Sequence, residues 1–363
     1  MDFNICKSLY HIKPYEPGKP IEELERELNI TNAVKLASNE NPSGCSPEVR
    51  NAVKQVLDSV HRYPDSSAHG VTQLLAEKWG VRPENIVMGN GSDDIIALLA
   101  SACLEPGDRA LMPDPSFLMY EISVRAAKGE PVMVPLKDFS MDLDEMAAAV
   151  DDKTRLIFLT NPFNPTGAAV SEERFQRFAD KIPGNIPIVV DEAYIEFARD
   201  ENIYNSLARP LEDPRVITLR TFSKAYGLAG FRVGYGVMEE AVAGYLQRIR
   251  QPFNVNSPAL AAAATALKDK DFLKKSLDTI LSGVDYLAAE LSEMGLEVLP
   301  TQANFMMVNV GGDSKTVFNE LLKKGVIVKS MKSYGFDEYI RVNAGLESEN
   351  RVFLKALKEV LFK

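Results

Sequence analysis

Short apolar, β-branched runs alternate along this chain with stretches of helical periodicity, most regularly from residue 85 onward. NIVM (85–88), RALMP (109–113), PVMVPL (131–136), RLIFLT (155–160), IPIVV (186–190) and VITL (216–219) each read as a buried strand. Near-continuous apolar runs bounded by turn residues suit strands covered on both faces. Helical patterns such as IIALLASACL (95–104) and DLDEMAAAV (142–150) fall between them. Strands alternating with helices imply right-handed crossovers and a mostly parallel sheet. Beyond a helix over 241–251 and a long helical segment over about 258–294, the pattern alternates again. LEVLP (296–300), NFMMVNV (304–310), a helix around 315–325, VIVKSM (326–331), YIRVNAG (339–345) and a last helix complete the chain. The predicted fold is α/β. A large domain over 36–250 carries the mostly parallel sheet flanked by helices, and a smaller α/β domain covers 251–363. Residues 1–35 form a polar N-terminal arm, with prolines at 14, 17 and 20 and an acidic helix at 21–29, packed on the small domain.

Sheets of this kind bind ligands in the crevice beyond the carboxyl ends of their strands. Here those ends carry Gly91-Ser92-Asp93, Phe117, Asn164, Asp191 with Tyr194, and Ser223-Lys224. Ser92 or Asp93 suits an N-cap, and a glycine turn feeding a helix start makes a phosphate site, although a simple capped helix reads the same way. Lys224 follows a buried strand, so partial removal from water would lower its pKa and make it an amine nucleophile toward a carbonyl. Ser223 and Arg232 flank it and could hold a phosphate. In isolation that stretch also fits a solvated loop. The apolar run before Asp191 argues for a buried carboxylate, which needs a cationic partner. Lysine, carboxylate, aromatic ring, amide, phenol and phosphate cradle together meet the needs of pyridoxal 5'-phosphate. Arg341 lies inside an apolar strand pattern and reads either as a site for an anionic substrate group or as half of an internal salt bridge. LASNENPSG (36–44) is turn-rich and fits a segment beside a ligand or an ordinary loop. Tyr63, held extended by Pro64, reads as a surface tyrosine.

Composition narrows the partners. The 363 residues are 45% apolar and carry a net charge of −10, which argues against nucleic acid or an anionic membrane surface and asks for a local Arg/Lys cluster to hold any anionic substrate. Cys6, Cys45 and Cys103 lie far apart, as in a reduced, cytoplasmic protein. The first twenty residues lack the apolar core of a signal peptide or membrane span. His11, His61 and His69 have no partners at ligand spacing, so no metal site is expected.

The motifs SNENP, RYPD, GNGSDD, NPFNPTG, VVDEAYIEF, RTFSKAYGLAGFRVGYG, PFNVNS, GVIVKS and IRVNAG occur in one order over nearly the whole chain. In them the sequence resembles the fold-type I pyridoxal-phosphate aminotransferases, and within these the histidinol-phosphate aminotransferase family. The resemblance implies that Lys224 is the Schiff-base lysine and proton carrier, and that Asp191 pairs with the pyridine nitrogen. It implies that Asn164 and Tyr194 bond the ring oxygen and that Phe117, where relatives often have tyrosine, stacks on the ring. Ser92, Asp93, Ser223 and Arg232 would hold the cofactor phosphate, joined by Tyr63 from the other subunit of a homodimer. Arg341 would bind the substrate carboxylate or phosphate, and Tyr15 would help close the site. Lys329 stands where many relatives carry an arginine that binds substrate phosphate. The implied reaction is transamination between histidinol phosphate and 2-oxoglutarate. An aromatic amino-acid aminotransferase is the first alternative, and a threonine-phosphate decarboxylase or a non-catalytic cofactor-binding regulatory module is more distant.

Overall fold

The computed structural model describes residues 5–12, 14 and 18–362, apart from the side chain of His11; Tyr15 lies outside the described residues. Strand β1 (Val34–Lys35) precedes a seven-stranded sheet. Its strands are β2 (Ile86–Gly89), β3 (Arg109–Asp114), β4 (Glu130–Pro135), β5 (Thr154–Thr160), β6 (Ile188–Asp191), β7 (Val216–Thr221) and β8 (Gly234–Val237). The order across the sheet is β2-β8-β7-β6-β5-β3-β4. All strands run parallel except β8, which pairs antiparallel with both β7 and β2. Helices pack on both faces, and β5, β6 and β7 are almost wholly buried, as their unbroken apolar runs require. The register sets Thr160 beside Asp191, and Thr221 beside Gly234, along one edge of the sheet.

Strand β8 was not legible because its sequence, Gly234-Tyr235-Gly236-Val237, is half glycine, a residue depleted in strands. Crowding explains the glycines. A Cβ on Gly234 would stand 2.6 Å from the Ser92 amide nitrogen, and one on Gly236 would stand 2.8 Å from Met238.

A second sheet is antiparallel, in the order β11-β12-β9, from β9 (Phe305–Asn309), β11 (Lys329–Ser330) and β12 (Tyr339–Asn343). VIVKSM is therefore not one strand: β10 (Val326–Ile327) turns away to pair parallel with β1, and β11 pairs with β12. LEVLP forms only an isolated bridge, Val298 to Val308. The long helical segment is two helices, Ser257–Lys268 and Lys270–Glu293. They break at Asp269, whose carboxylate caps the second by accepting from the Phe272 amide at 3.0 Å. Ser257–Lys268 packs on the helices Pro47–Val56 and His69–Trp79. Leu24 and Ala37 join Ile327 in a small apolar cluster, so residues 24 and 37 are anchored next to β10.

Candidate active site

The carboxyl edge of the large sheet opens into a cavity of about 500 Å³, lined by Ser92, Asp93, Phe117, Asn164, Asp191, Tyr194, Ser223, Lys224 and Arg232. Strand ends deliver nearly all of them, which is why residues spread over some 140 positions of sequence meet here. Ser38, Glu40, Tyr120 and Thr160 also line it.

Lys224 follows β7 and its Nζ donates to the Ser38 carbonyl at 2.9 Å. Burial, with the nearby Arg341 guanidinium, pushes its amine down from 10.5 to about 8. Asp191 ends β6 and is only 4% exposed. Burial raises its carboxyl to about 6, against the lowering effect of a hydrogen bond from Tyr120. Its Oδ1 accepts from the Ala193 amide at 3.1 Å and its Oδ2 from the Tyr120 hydroxyl at 2.9 Å. Tyr194 is buried, accepts from Asn39 Nδ2 at 3.0 Å, and carries a raised phenol pKa, chiefly from burial.

The helix Ser92–Cys103 differs from expectation at its start. Neither Ser92 nor Asp93 is the N-cap; Gly91 is, at φ +83°, and no side chain caps the helix. Glycine suits this left-handed backbone, and a Cβ there would also stand 2.7 Å from the Arg232 guanidinium. The helix start thus offers its first amides to an anion. Arg232 holds Asp93 at 3.1 Å and contacts Ser223 Oγ at 3.5 Å. Its own backbone is left-handed, φ +57°, a strained geometry for a non-glycine residue that aims its side chain back at the helix start.

Arg341, in β12, is 8% exposed. It donates to Asn164 Oδ1 at 2.6 Å and to the Ala37 carbonyl at 3.0 Å, while its Nε has no partner. No carboxylate pairs with it among the described residues. Lys329 lies directly across from Arg341 in the β11–β12 register but does not line the cavity. Tyr63 does not line it either. It is 82% exposed and stacks on Phe253 at 4.6 Å in a separate groove.

Three groups missed at the sequence level support the site. Tyr120 sits three residues after Phe117 on the same chain turn and meets its ring edge-on at 5.7 Å. Asn39, at φ +55°, donates to Tyr194 and takes the Asn343 side chain on its amide. Thr160 ends β5 beside Asp191. Only the SNENP motif carried a signal for Asn39; nothing in the pattern marked the tyrosine or the threonine.

The residues fit a bound pyridoxal phosphate. Among the described residues, a buried carboxylate has no cation beside it, a buried guanidinium has no anion, and a helix start with an adjacent arginine is open to one. An isolated buried charge is costly, and a ligand bearing a pyridinium and a phosphate relieves two of these.

The aminotransferase class I and II family profile matches residues 31–357. The chain belongs to that family. It is 47% identical to histidinol-phosphate aminotransferase 2 of Carboxydothermus hydrogenoformans, covering 98% of this chain and 99% of that protein. Identity to the histidinol-phosphate aminotransferase of Moorella thermoacetica is 44%, over 98% and 92% of the two chains. Among solved structures, the Sinorhizobium meliloti histidinol-phosphate aminotransferase in complex with pyridoxal-5'-phosphate superposes with a TM-score of 0.90 at 29% identity, over 99% of this chain and 98% of that one. This aminotransferase is therefore a fold-type I enzyme that uses pyridoxal phosphate.

Proposed function

We propose that this aminotransferase exchanges the amino group of histidinol phosphate with 2-oxoglutarate, at the step that makes the histidine precursor from imidazole-acetol phosphate. The observation that carries the reading is Arg341. A buried guanidinium whose Nε has no partner and that meets no carboxylate among the described residues is a receptor for an anion, and its planar fork serves a carboxylate and a phosphate equally well. One site can then take glutamate in one half-reaction and a phosphorylated amine in the other. The 41–47% identity to proteins named histidinol-phosphate aminotransferase supports the choice of amine.

Bound pyridoxal phosphate supplies an electron sink for the carbanion at the substrate α-carbon. The chain's own residues do the rest. Lys224 Nζ, with a pKa brought near the working pH, takes the α-proton and returns it to the other carbon. Asp191 holds the ring nitrogen's proton, Phe117 supplies a flat apolar face, and Asn164 and Tyr194 orient the ring oxygen. The Ser92–Cys103 helix start, Ser223 and Arg232 hold the phosphate. Lys329 adds a second cation on the face of β11–β12 that carries Arg341.

Tyr63 is assigned to the phosphate of a second copy. It projects from an exposed apolar surface formed with Leu57, Val60 and Phe253, which a homodimer would cover. Three free cysteines fit the cytoplasm as the compartment, and no helix among the described residues is long and apolar enough to cross a membrane.

The test is single-turnover mixing of the cofactor-loaded protein with histidinol phosphate or with phenylalanine, followed by the cofactor absorbance. Conversion at least about tenfold faster with histidinol phosphate supports the proposal. Equal or faster conversion with phenylalanine makes the protein an aromatic amino-acid aminotransferase.

A further inference from the structure

The carboxylate that faces the cofactor nitrogen is not held by its own strand alone. Tyr120, on the helix Met119–Ala126, is fully buried and reaches two groups at once: Asp191 Oδ2 at 2.9 Å and Thr160 Oγ1 at 2.8 Å. An ionised carboxylate only accepts, so the single phenol proton points at Asp191, and the Thr160 hydroxyl must donate to the phenol oxygen. The result is a one-way chain, Thr160 to Tyr120 to Asp191. Both ends of the ring are fixed as well. Tyr120 lies flat on Phe158 at 4.7 Å and meets Phe117 edge-on, so its hydroxyl has nowhere else to turn.

We propose that Tyr120 is a positioning residue for the transamination, one that keeps Asp191 anionic and thereby leaves the shared proton on the cofactor's ring nitrogen. The inference rests on the cofactor assignment above. A donor to the charged form lowers a carboxylate's basicity. Between two bases sharing a proton, the weaker one gives it up. With the Tyr120 hydroxyl in place the proton stays on the ring nitrogen, and the ring draws electrons. Without the hydroxyl, Asp191 becomes a stronger base and draws the shared proton toward itself. The groups that face Asp191 work against the anion: the Asp93 and Glu192 carboxylates raise its pKa, and burial raises it most. The Ala193 amide is the only other donor to it among the described residues. Among the described residues, Tyr120 therefore supplies the one side-chain hydrogen bond that opposes them.

The experiment is Tyr120→Phe, which keeps the ring and its stacking and deletes only the hydroxyl. In the cofactor-free protein, the Asp191 carboxyl carbon is titrated by carbon-13 NMR. The expected result is an upward shift of about one pH unit. In the protein loaded with ring-nitrogen-15 pyridoxal phosphate, the nitrogen resonance moves from the pyridinium toward the neutral pyridine position. The expected kinetic signature is a kcat roughly tenfold lower with KM for glutamate changed less than about twofold. Thr160→Val weakens the same chain from its far end and shifts the Asp191 titration in the same direction by a smaller amount. An unchanged Asp191 titration and an unchanged nitrogen resonance in a folded Tyr120→Phe protein would overturn the proposal. Failure of the unsubstituted protein to bind pyridoxal phosphate would instead overturn the cofactor reading on which it rests.

Discussion

Lys224 and Arg341 show how single residues were readable, and how far. Both stood out as charged side chains set in or just after apolar runs; Lys224 lines the cavity, and Arg341 is buried next to it, bonded to the lining residue Asn164. Their partners were not readable, because Ser38, Ala37 and Asn164 reach them from other parts of the chain. Replacing Lys224 with Met should abolish turnover. It should also stabilise the cofactor-free protein at pH 7, since a lysine whose pKa falls on folding costs stability wherever the unfolded chain is protonated. Between about 8 and 10.5 the unfolded chain binds more protons than the native one, so wild-type stability rises with pH there. The advantage of Lys224→Met should therefore shrink through that window, as urea unfolding at pH 7, 9 and 10.5 would record. For Arg341→Met, the loss of two charge-assisted hydrogen bonds to substrate, each worth about 1.5–3 kcal/mol, should raise KM at least about 100-fold. The measurement is steady-state kinetics with glutamate and with histidinol phosphate; a rise for one substrate alone would mean that the two anions are bound at different places.

Among the elements, the buried parallel strands were plain because an unbroken β-branched run has few other uses. The failures have physical causes. β8 is half glycine, Gly234 crowded by neighbouring backbone and Gly236 by neighbouring side chains, and Asp269 breaks a helical pattern that periodicity alone carries straight through. Aspartate at such a break is a cap, so Asp269→Ala should cost about 1 kcal/mol; an unchanged thermal midpoint would show the helix holding without it. A sharper constraint lies where the SNENPSG loop crosses the loop after Lys224. Gly227, at φ +69°, leaves no room: a Cβ would stand 1.9 Å from the Gly44 carbonyl oxygen. Gly227→Ala should destabilise by at least about 2 kcal/mol, from the left-handed backbone plus the displaced loop. Because that loop carries Lys224, turnover should fall even at temperatures where the variant is fully folded, which circular dichroism and activity measured together would establish.

At the scale of the whole molecule, the exposed Tyr63 poses the clearest question, since a stacked pair of aromatic rings open to water is an unusual surface. If Tyr63 serves the partner's site, Lys224→Ala and Tyr63→Phe proteins, each weak or inactive alone, should regain activity when unfolded together and refolded. Each mixed dimer then contains one site with both native residues. Recovery no greater than the sum of the separate proteins would show that Tyr63 acts elsewhere. The same scale separates what sequence decided from what folding decided. The order of strands and helices, the buried lysine and carboxylate, and the family motifs are local facts: hydrophobic period and side-chain chemistry specify them one segment at a time. The Thr160–Tyr120–Asp191 chain, the uncapped helix start at Gly91, the divided VIVKSM run and the setting of Arg341 against Asn164 and Ala37 are not local. Each depends on which segments the sheet order brings side by side, and a distance between two strands is set by all the strands that lie between them.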